Sequence, residues 1–262
     1  MIEKMRVSLY GFKKYNNLLH ELVIRDIKVR YRKSFLGILW TVLNPLLMMT
    51  VITLVFSYMF RYDIHNYPVY FLTGNIVFQF FNEATTQAQS SIIGNSALIK
   101  KVYIPKYLFP LSRVMSSLVN FGFSLIAMLI VMYATKAQFH ITLLLIAMPL
   151  FYLFMFVTGL GLVLSSISVY FRDLLHVYGV ITMAWMYFTP IFYPMNALPD
   201  VVKKVMNFNP LWHYINYFRQ LILDGIFPDF KLNLICFFIG FLFLIFGLVV
   251  FYRKQDDFIL YI

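Results

Sequence analysis

Charge, cysteine and the signatures of a self-contained enzyme are scarce or missing in this 262-residue sequence. Only 13% of residues are charged and 61% are hydrophobic, against about 25% charged and 45 to 50% apolar in an ordinary soluble domain. A water-soluble globule of this size has no way to hide so much apolar surface, and a disordered chain is excluded by the same composition. Cys236 is the single cysteine, so a disulfide scaffold is excluded. There is no G-x-x-x-x-G-K-[ST] phosphate loop, so the chain cannot be its own P-loop ATPase. It has no H-E-x-x-H and no D-x-D, and no histidine is followed by an acid five positions on. Asp173, Asp200, Asp224 and Asp229 are scattered singly, and Asp256 and Asp257, though adjacent, read as part of a solvated tail. Neither a catalytic base with partners nor a metal site is expected.

What is present is a series of long apolar runs. Residues 35–60, 68–93, 111–133, 141–167, 174–193 and 233–252 are each long enough to cross a bilayer as a helix. The second run is interrupted by Asn75, Gln79, Asn82, Glu83, Gln87 and Gln89, so its polar side should face protein or water. The fourth contains Thr158, Gly159, Gly161, Ser165 and Ser166, a small-residue face suited to close helix packing in lipid. Between the fifth and sixth runs, residues 201–208 and 211–223 read as two helices too short to cross, which predicts a re-entrant or interfacial hairpin. The expected fold is an all-α integral membrane protein with six transmembrane helices. A cytoplasmic segment (1–34) would precede the six-span region (35–252), and a short tail (253–262) would follow it, all within one membrane domain.

The net charge of +11 would suggest a nucleic-acid partner in a soluble protein; here its placement matters more. Nine Lys and Arg fall in the first 35 residues with no apolar run before them, which does not fit a cleavable signal peptide. With six spans, the side holding both termini carries 16 Lys and Arg against 6 on the other. The excess of positive charge places both termini in the cytoplasm and the hairpin outside.

Leu19, Val23, Ile27 and Tyr31 recur at four-residue steps beside Leu22, which predicts an amphipathic helix at the membrane surface. Glu21 with Arg25, and Asp26 with Arg30, are spaced as i,i+4 ion pairs on its other face. Two readings stand for its basic end: an anchor on anionic lipid, or a receiver, through Arg30, Arg32 and Lys33, for an anionic lipid headgroup such as a pyrophosphate. Glu83 is the one carboxylate well inside an apolar run and so a candidate for proton coupling, with pairing to a polar neighbour as the structural alternative. The aromatic residues, 19% of the chain, are suited to lipid-facing bulk and interfacial belts, with a minority able to line a conduit.

Five segments in order carry a family resemblance: RDIKVRYRKSFLGILWTVLNPLL (25–47), NSALIKKVYIPKYLFPLSRV (95–114), VYFRDLLHV (169–177), YFTPIFYPMNALP (187–199) and NPLWHYINYFRQLILDG (209–225). Together they resemble the membrane permeases of type 2 ABC exporters for O-antigen, capsule or teichoic acid, over nearly the whole chain. The resemblance implies an interface helix at 22–33 and a coupling helix seating on a separate ATPase. That coupling site comprises Asn95, Ser96, Leu98, Ile99, Lys100, Lys101, Val102, Ile104 and Pro105, with Arg172 and Asp173 as a second contact. It implies external gate helices at 197–208 and 211–223, with Pro199, Pro210, Trp212, Tyr214 and Tyr217. It also implies a homodimer with two P-loop ATPase subunits that bind MgATP, no cofactor or enzyme site in this chain, and a polyprenyl-pyrophosphate-linked polymer as cargo. Trp40, Phe78, Phe81, Glu83, Tyr187 and Phe188 are expected along the conduit from their span positions. An ion-coupled or passive flippase, or a glycan-modifying transferase, is the alternative function, and a bacterial plasma membrane the expected location.

Overall fold

A computed structural model describes residues 2–32, 34–59, 64 and 66–262, with residues 2–14, 31 and 57–59 described by their backbone. Lys33 and Arg61, and the side chain of Tyr31, lie outside what is described. Among the described residues the fold is all helix, without a strand. The elements are α1 (Ile2–Tyr31), α2 (Trp40–Met59), α3 (Tyr67–Gly94), α4 (Ser96–Lys101), α5 (Leu108–Ala134), α6 (Ala147–Tyr170), α7 (Leu174–Phe188), α8 (Asp200–Met206), α9 (Pro210–Arg219), α10 (Phe230–Lys254) and α11 (Phe258–Tyr261). Short 3-10 turns lead into α2, α6 and α8, and α9 continues into a π turn, Gln220–Asp224.

Four segments are long and apolar enough to cross a membrane: Gly37–Phe56, Leu108–Ala134, Ile141–Tyr170 and Phe230–Lys254. The other two expected spans differ from these in instructive ways. α3 is 28 residues long but too polar to qualify, and α7 is apolar but only 15 residues long.

α3 is the hub of the fold, packing on α2, α5, α6, α7 and α9. Its buried side chains run on all sides, from Val69, Phe71 and Leu72 through Phe80 and Phe81 to Ala88 and Ile92. Polar positions are tolerated because Thr73 and Thr85 return their hydroxyls to the carbonyls of Val69 and Phe81, one turn back. α6 packs most extensively along α10, and the small residues of α6 are the reason. A Cβ on Gly159 would collide with the Phe243 carbonyl, and one on Gly247 would collide with the Gly159 carbonyl, so the two backbones touch. Gly161 faces Ala88 of α3, so the small-residue stretch packs against two helices.

α1 is longer than the predicted amphipathic segment, and its buried stripe is rotated from the one the periodicity suggests. Leu19, Leu22 and Asp26 are buried, with Leu19 and Leu22 packed on Leu108 at the start of α5. In place of the expected i,i+4 ion pairs along α1, Asp26 pairs with its neighbour Arg25 and with Arg113 of α5, while Arg30 pairs with Glu83 of α3. A helix packed against others spends its charges on neighbours rather than along its own face.

Candidate functional site

Two regions gather the chemistry-bearing residues, and both are built on α3. The first surrounds α4. Asn95 ends α3 and precedes α4; its amide nitrogen donates to the Ser91 carbonyl at 2.7 Å and its side-chain oxygen accepts from Arg25 of α1 at 3.3 Å. Arg25 also contacts Asp26 at 3.0 Å, and Arg113 approaches the same carboxylate oxygen at 3.3 Å. α1, α4 and α5 are thereby joined through one chain of polar contacts.

α4 is amphipathic over six residues. Ile99 is buried with Ile92, Phe109 and Leu162, with Leu98 and Ile104 packed alongside. Lys100, Lys101 and Val102 are exposed, and Tyr103 beyond them is 95% exposed. Ser96 and Pro105 are half-buried, and Arg172 and Asp173 lie exposed in the connector between α6 and α7. The arrangement is a rooted basic knob with a second exposed polar connector, able to meet a partner but holding no cluster of groups that could do chemistry.

Glu83 sits nearby, one third of the way from the α4 end of α3. Its Oε1 accepts from Arg30, from Asn120 Nδ2 at 2.6 Å, from Gln87 Nε2 at 2.9 Å and from Ser117 Oγ at 3.3 Å. The structural alternative set out for this acid is the one observed: it joins α1, α3 and α5. Arg30 is engaged there, whereas Lys28, in the last turn of α1, and Arg32, just past its end, border an open groove of about 440 Å³. Leu36, Leu39, Val42 and Phe123 supply its apolar walls.

The second region is the hairpin. α7 stops at Phe188 because Pro190 and Pro194 cannot continue it, leaving residues 189–194 as irregular backbone. Side chains satisfy the freed carbonyls one by one. Tyr67 donates to Phe192 O and Tyr70 to Tyr193 O, both at 2.9 Å; Arg219 donates to Pro190 O at 2.9 Å and Ile191 O at 3.3 Å. Irregular backbone shielded from water needs such donors for its carbonyls inside the protein. Arg219 also reaches Tyr70 O at 3.4 Å and lies 3.6 Å over the Tyr70 ring. No carboxylate among the described residues forms an ion pair with it. Partial desolvation raises the Asp224 carboxyl above the usual carboxylate range, with Arg219 and His140 opposing the shift.

α9 begins at Asn209, whose side-chain oxygen accepts from Leu211 N at 3.1 Å and from Trp185 Nε1 at 2.9 Å while its amide donates to Thr189. Tyr214 is buried and donates to Cys236 O of α10 at 2.9 Å, Tyr217 is buried, Pro210 and Trp212 are half-buried, and Pro199 is exposed. The lone cysteine is therefore a packed core residue.

The six expected conduit residues divide. Trp40, Tyr187 and Phe188 are 43%, 61% and 46% exposed. Phe78 and Phe81 are buried within the chain, Phe81 against Phe156 and Trp185. Glu83 is held by its four donors. Sequence reasoning missed Arg219, Tyr70 and Asn209, because an isolated Arg or Tyr in apolar surroundings carries no local signal. Only the Asn209–Pro210 pair, a helix start, pointed towards one of them.

Residues 17–223 match the family described as ABC-2 type transporter. The chain is 33% identical over 221 residues to the O-antigen export system permease protein RfbA of Myxococcus xanthus, covering 82% of this chain and 84% of that protein. It is 31% identical over 256 residues to an RfbA of Klebsiella pneumoniae, covering 94% and 96%. It is 22% identical over 218 residues to the polysialic acid transport protein KpsM of Escherichia coli, covering 82% and 84%.

Proposed function

The chain belongs to the ABC-2 type transporter family, and on that premise we propose that it is the membrane-spanning subunit of an exporter for an O-antigen or capsule-like polysaccharide. In this reading a lipid-linked polymer, assembled on a polyprenyl pyrophosphate, is moved out of the cytosol across a bacterial plasma membrane by the ATP hydrolysis of a separate subunit. Two copies of the chain form the conduit and two ATPases bind below, with MgATP held there. α3 and α7 complete the set of six spans, both termini are cytoplasmic, α1 is the interface helix, and α8 and α9 form the external gate.

The observation that carries the reading is α4: a short basic helix, rooted by Ile99 and exposed at Lys100, Lys101, Val102 and Tyr103. A chain with no phosphate loop must import its driving force, and a rooted knob can pass a partner's closure to the bundle as a rigid-body shift. Lys28 and Arg32 on their apolar groove supply the two chemistries of a lipid-linked anion, cation and hydrocarbon, so they join Arg32's sequence-expected role in headgroup entry. Arg30 supports that entry indirectly, by fixing α1 to Glu83. An ion-coupled carrier gains little from Glu83, whose oxygen is already engaged by four donors.

Lys100→Glu combined with Lys101→Glu tests the reading. The double variant should recover at least tenfold less of the co-purifying ATPase than the parent chain, at equal permease yield. Undiminished recovery, or a parent chain that transports with no ATPase present, overturns it.

A further inference from the structure

Residues 255–262 follow α10 and begin with Gln255, Asp256 and Asp257, a stretch whose polarity suggests a solvated tail. Asp256 and Asp257 are indeed exposed, but the chain then turns back under the bundle. Phe258 is 0% exposed. It shares one apolar cluster with Ile99 of α4, Ile92 of α3, Phe109 of α5, Leu162 and Val169 of α6 and Phe251 of α10. Its ring meets Phe251 edge-on at 5.4 Å and Tyr170, the last residue of α6, at 6.2 Å.

Polar contacts fix the same turn from two directions. Lys106, in the link between α4 and α5, donates to the Gln255 carbonyl and stands 5.8 Å over the Phe258 ring. Tyr170, beside the connector that holds Arg172 and Asp173, donates to the Lys254 carbonyl at 3.3 Å and stacks edge-on with Tyr261 at 4.7 Å. Residues 255–262 therefore touch both the α4–α5 link, through Lys106, and the end of α6, through Tyr170. Both contacts adjoin the stretches assigned to ATPase contact, residues 95–105 and Arg172 with Asp173, and residues 255–262 add a tie between them.

We propose that residues 255–262 are a brace that joins α4 to the end of α6, with Phe258 as its positioning residue, so that a push on α4 reaches α6 and α10 together. The proposal rests on the exporter reading for its purpose, and on burial and contact geometry for its existence. Without the brace α4 keeps its contacts through Ile99, Leu98 and Asn95 but loses Phe258 from beneath Ile99, and so yields more readily under load. The ATPase then still binds, through the exposed lysines, and still hydrolyses ATP, but its closure is no longer delivered to the spans.

The experiment has two readouts on the intact permease. In lipid nanodiscs, Phe258→Ala should raise amide hydrogen exchange in residues 96–101 at least tenfold, with exchange in α3 and α6 interiors unchanged, and Phe258→Leu should restore it. In the complex with the co-purifying ATPase, Phe258→Ala should leave recovery of the ATPase within twofold of the parent and reduce polymer exported per ATP at least tenfold, again restored by Phe258→Leu. Lys106→Met removes the contact to Gln255 without entering the core, so it should move both readouts in the same direction by a smaller factor if Phe258→Ala fails to fold. Unchanged exchange in 96–101 overturns the brace. Raised exchange with an unchanged export-to-ATP ratio overturns its role in coupling. If the parent chain binds no ATPase, the exporter reading fails while the exchange result still decides whether the brace exists.

Discussion

At the α4 end of the bundle, arginines meet carboxylates: Arg30 meets Glu83, and Arg25 and Arg113 meet Asp26. At the hairpin end, Arg219 is buried with no carboxylate on it, held by the carbonyls of Tyr70, Pro190 and Ile191 and by the face of the Tyr70 ring. The two arrangements differ in what depends on the cation. The Glu83 pair is about a third exposed on both sides, so water can take over its hydrogen bonds and the contact is weak and exchangeable. Arg219 completes backbone that has no other donor, so the irregular segment after α7 depends on it. The Glu83 tie is thus a partly exposed pair that water can replace, whereas the Pro190 and Ile191 carbonyls rest on one side chain, Arg219.

Removing the cation at the hairpin end is the strongest way to break this contrast. Arg219→Ala leaves the Pro190 and Ile191 carbonyls buried without partners, and should cost about 3 kcal/mol in reversible unfolding from mixed micelles. Arg219→Lys should recover less than half of the loss, because an ammonium carries its donors on one nitrogen, cannot span these carbonyls as the planar fork does, and cannot lie flat on Tyr70. A loss below about 1 kcal/mol for Arg219→Ala would mean that water reaches these carbonyls and that the two ends do not differ in kind.

Gly74 sharpens the same point with a smaller perturbation. A Cβ there would come within 2.9 Å of Arg219 Nη2 and 3.4 Å of the Ile191 side chain. A flexible arginine tip would move aside, but this one is fixed by three carbonyls and a ring. Gly74→Ala should therefore cost about 1 to 2 kcal/mol in the same unfolding assay, although alanine favours a helix. A neutral or stabilising result would show that the guanidinium has slack.

These residues also mark where the sequence was readable and where it was not. Helix positions followed from apolar runs and prolines, since Pro68, Pro190, Pro194 and Pro210 each fall where a helix starts or stops. The α6–α10 contact was legible as a class of surface, because small residues at helical spacing have one main use in lipid. The stretch that forms α4 was singled out through the family resemblance rather than through a pattern of its own. Partners distant in sequence were not legible. Asp26 and Arg30 look like an i,i+4 pair, yet the helix rotates to give them to α5 and α3 respectively. Phe78 and Phe81 have the composition of conduit lining, but α3 is enclosed by five neighbours, and no local feature encodes how many neighbours a helix has. α3, the more polar helix, is enclosed by protein, while the more apolar α2 is largely exposed, so in a lipid setting hydropathy alone gives the wrong ranking of burial.

The smallest expected effect lies at the α4 end and tests the other half of the contrast. Glu83→Gln keeps an oxygen that can accept from Asn120, Gln87 and Ser117 and removes only the charge that attracts Arg30. For a pair this exposed the loss should be about 0.2 to 1 kcal/mol, shrinking towards zero as salt rises and screens the parent pair. Arg30→Gln removes the same attraction, so the part of its loss that comes from this pair should shrink with salt in the same way. A salt-independent loss of about 3 kcal/mol for either variant would place Glu83 in the same class as Arg219, and the α4 end would then be a fixed scaffold. A salt-dependent loss near the lower figure leaves it an exchangeable tie, the kind that lets α1 shift against α3 and α5 when a partner moves α4.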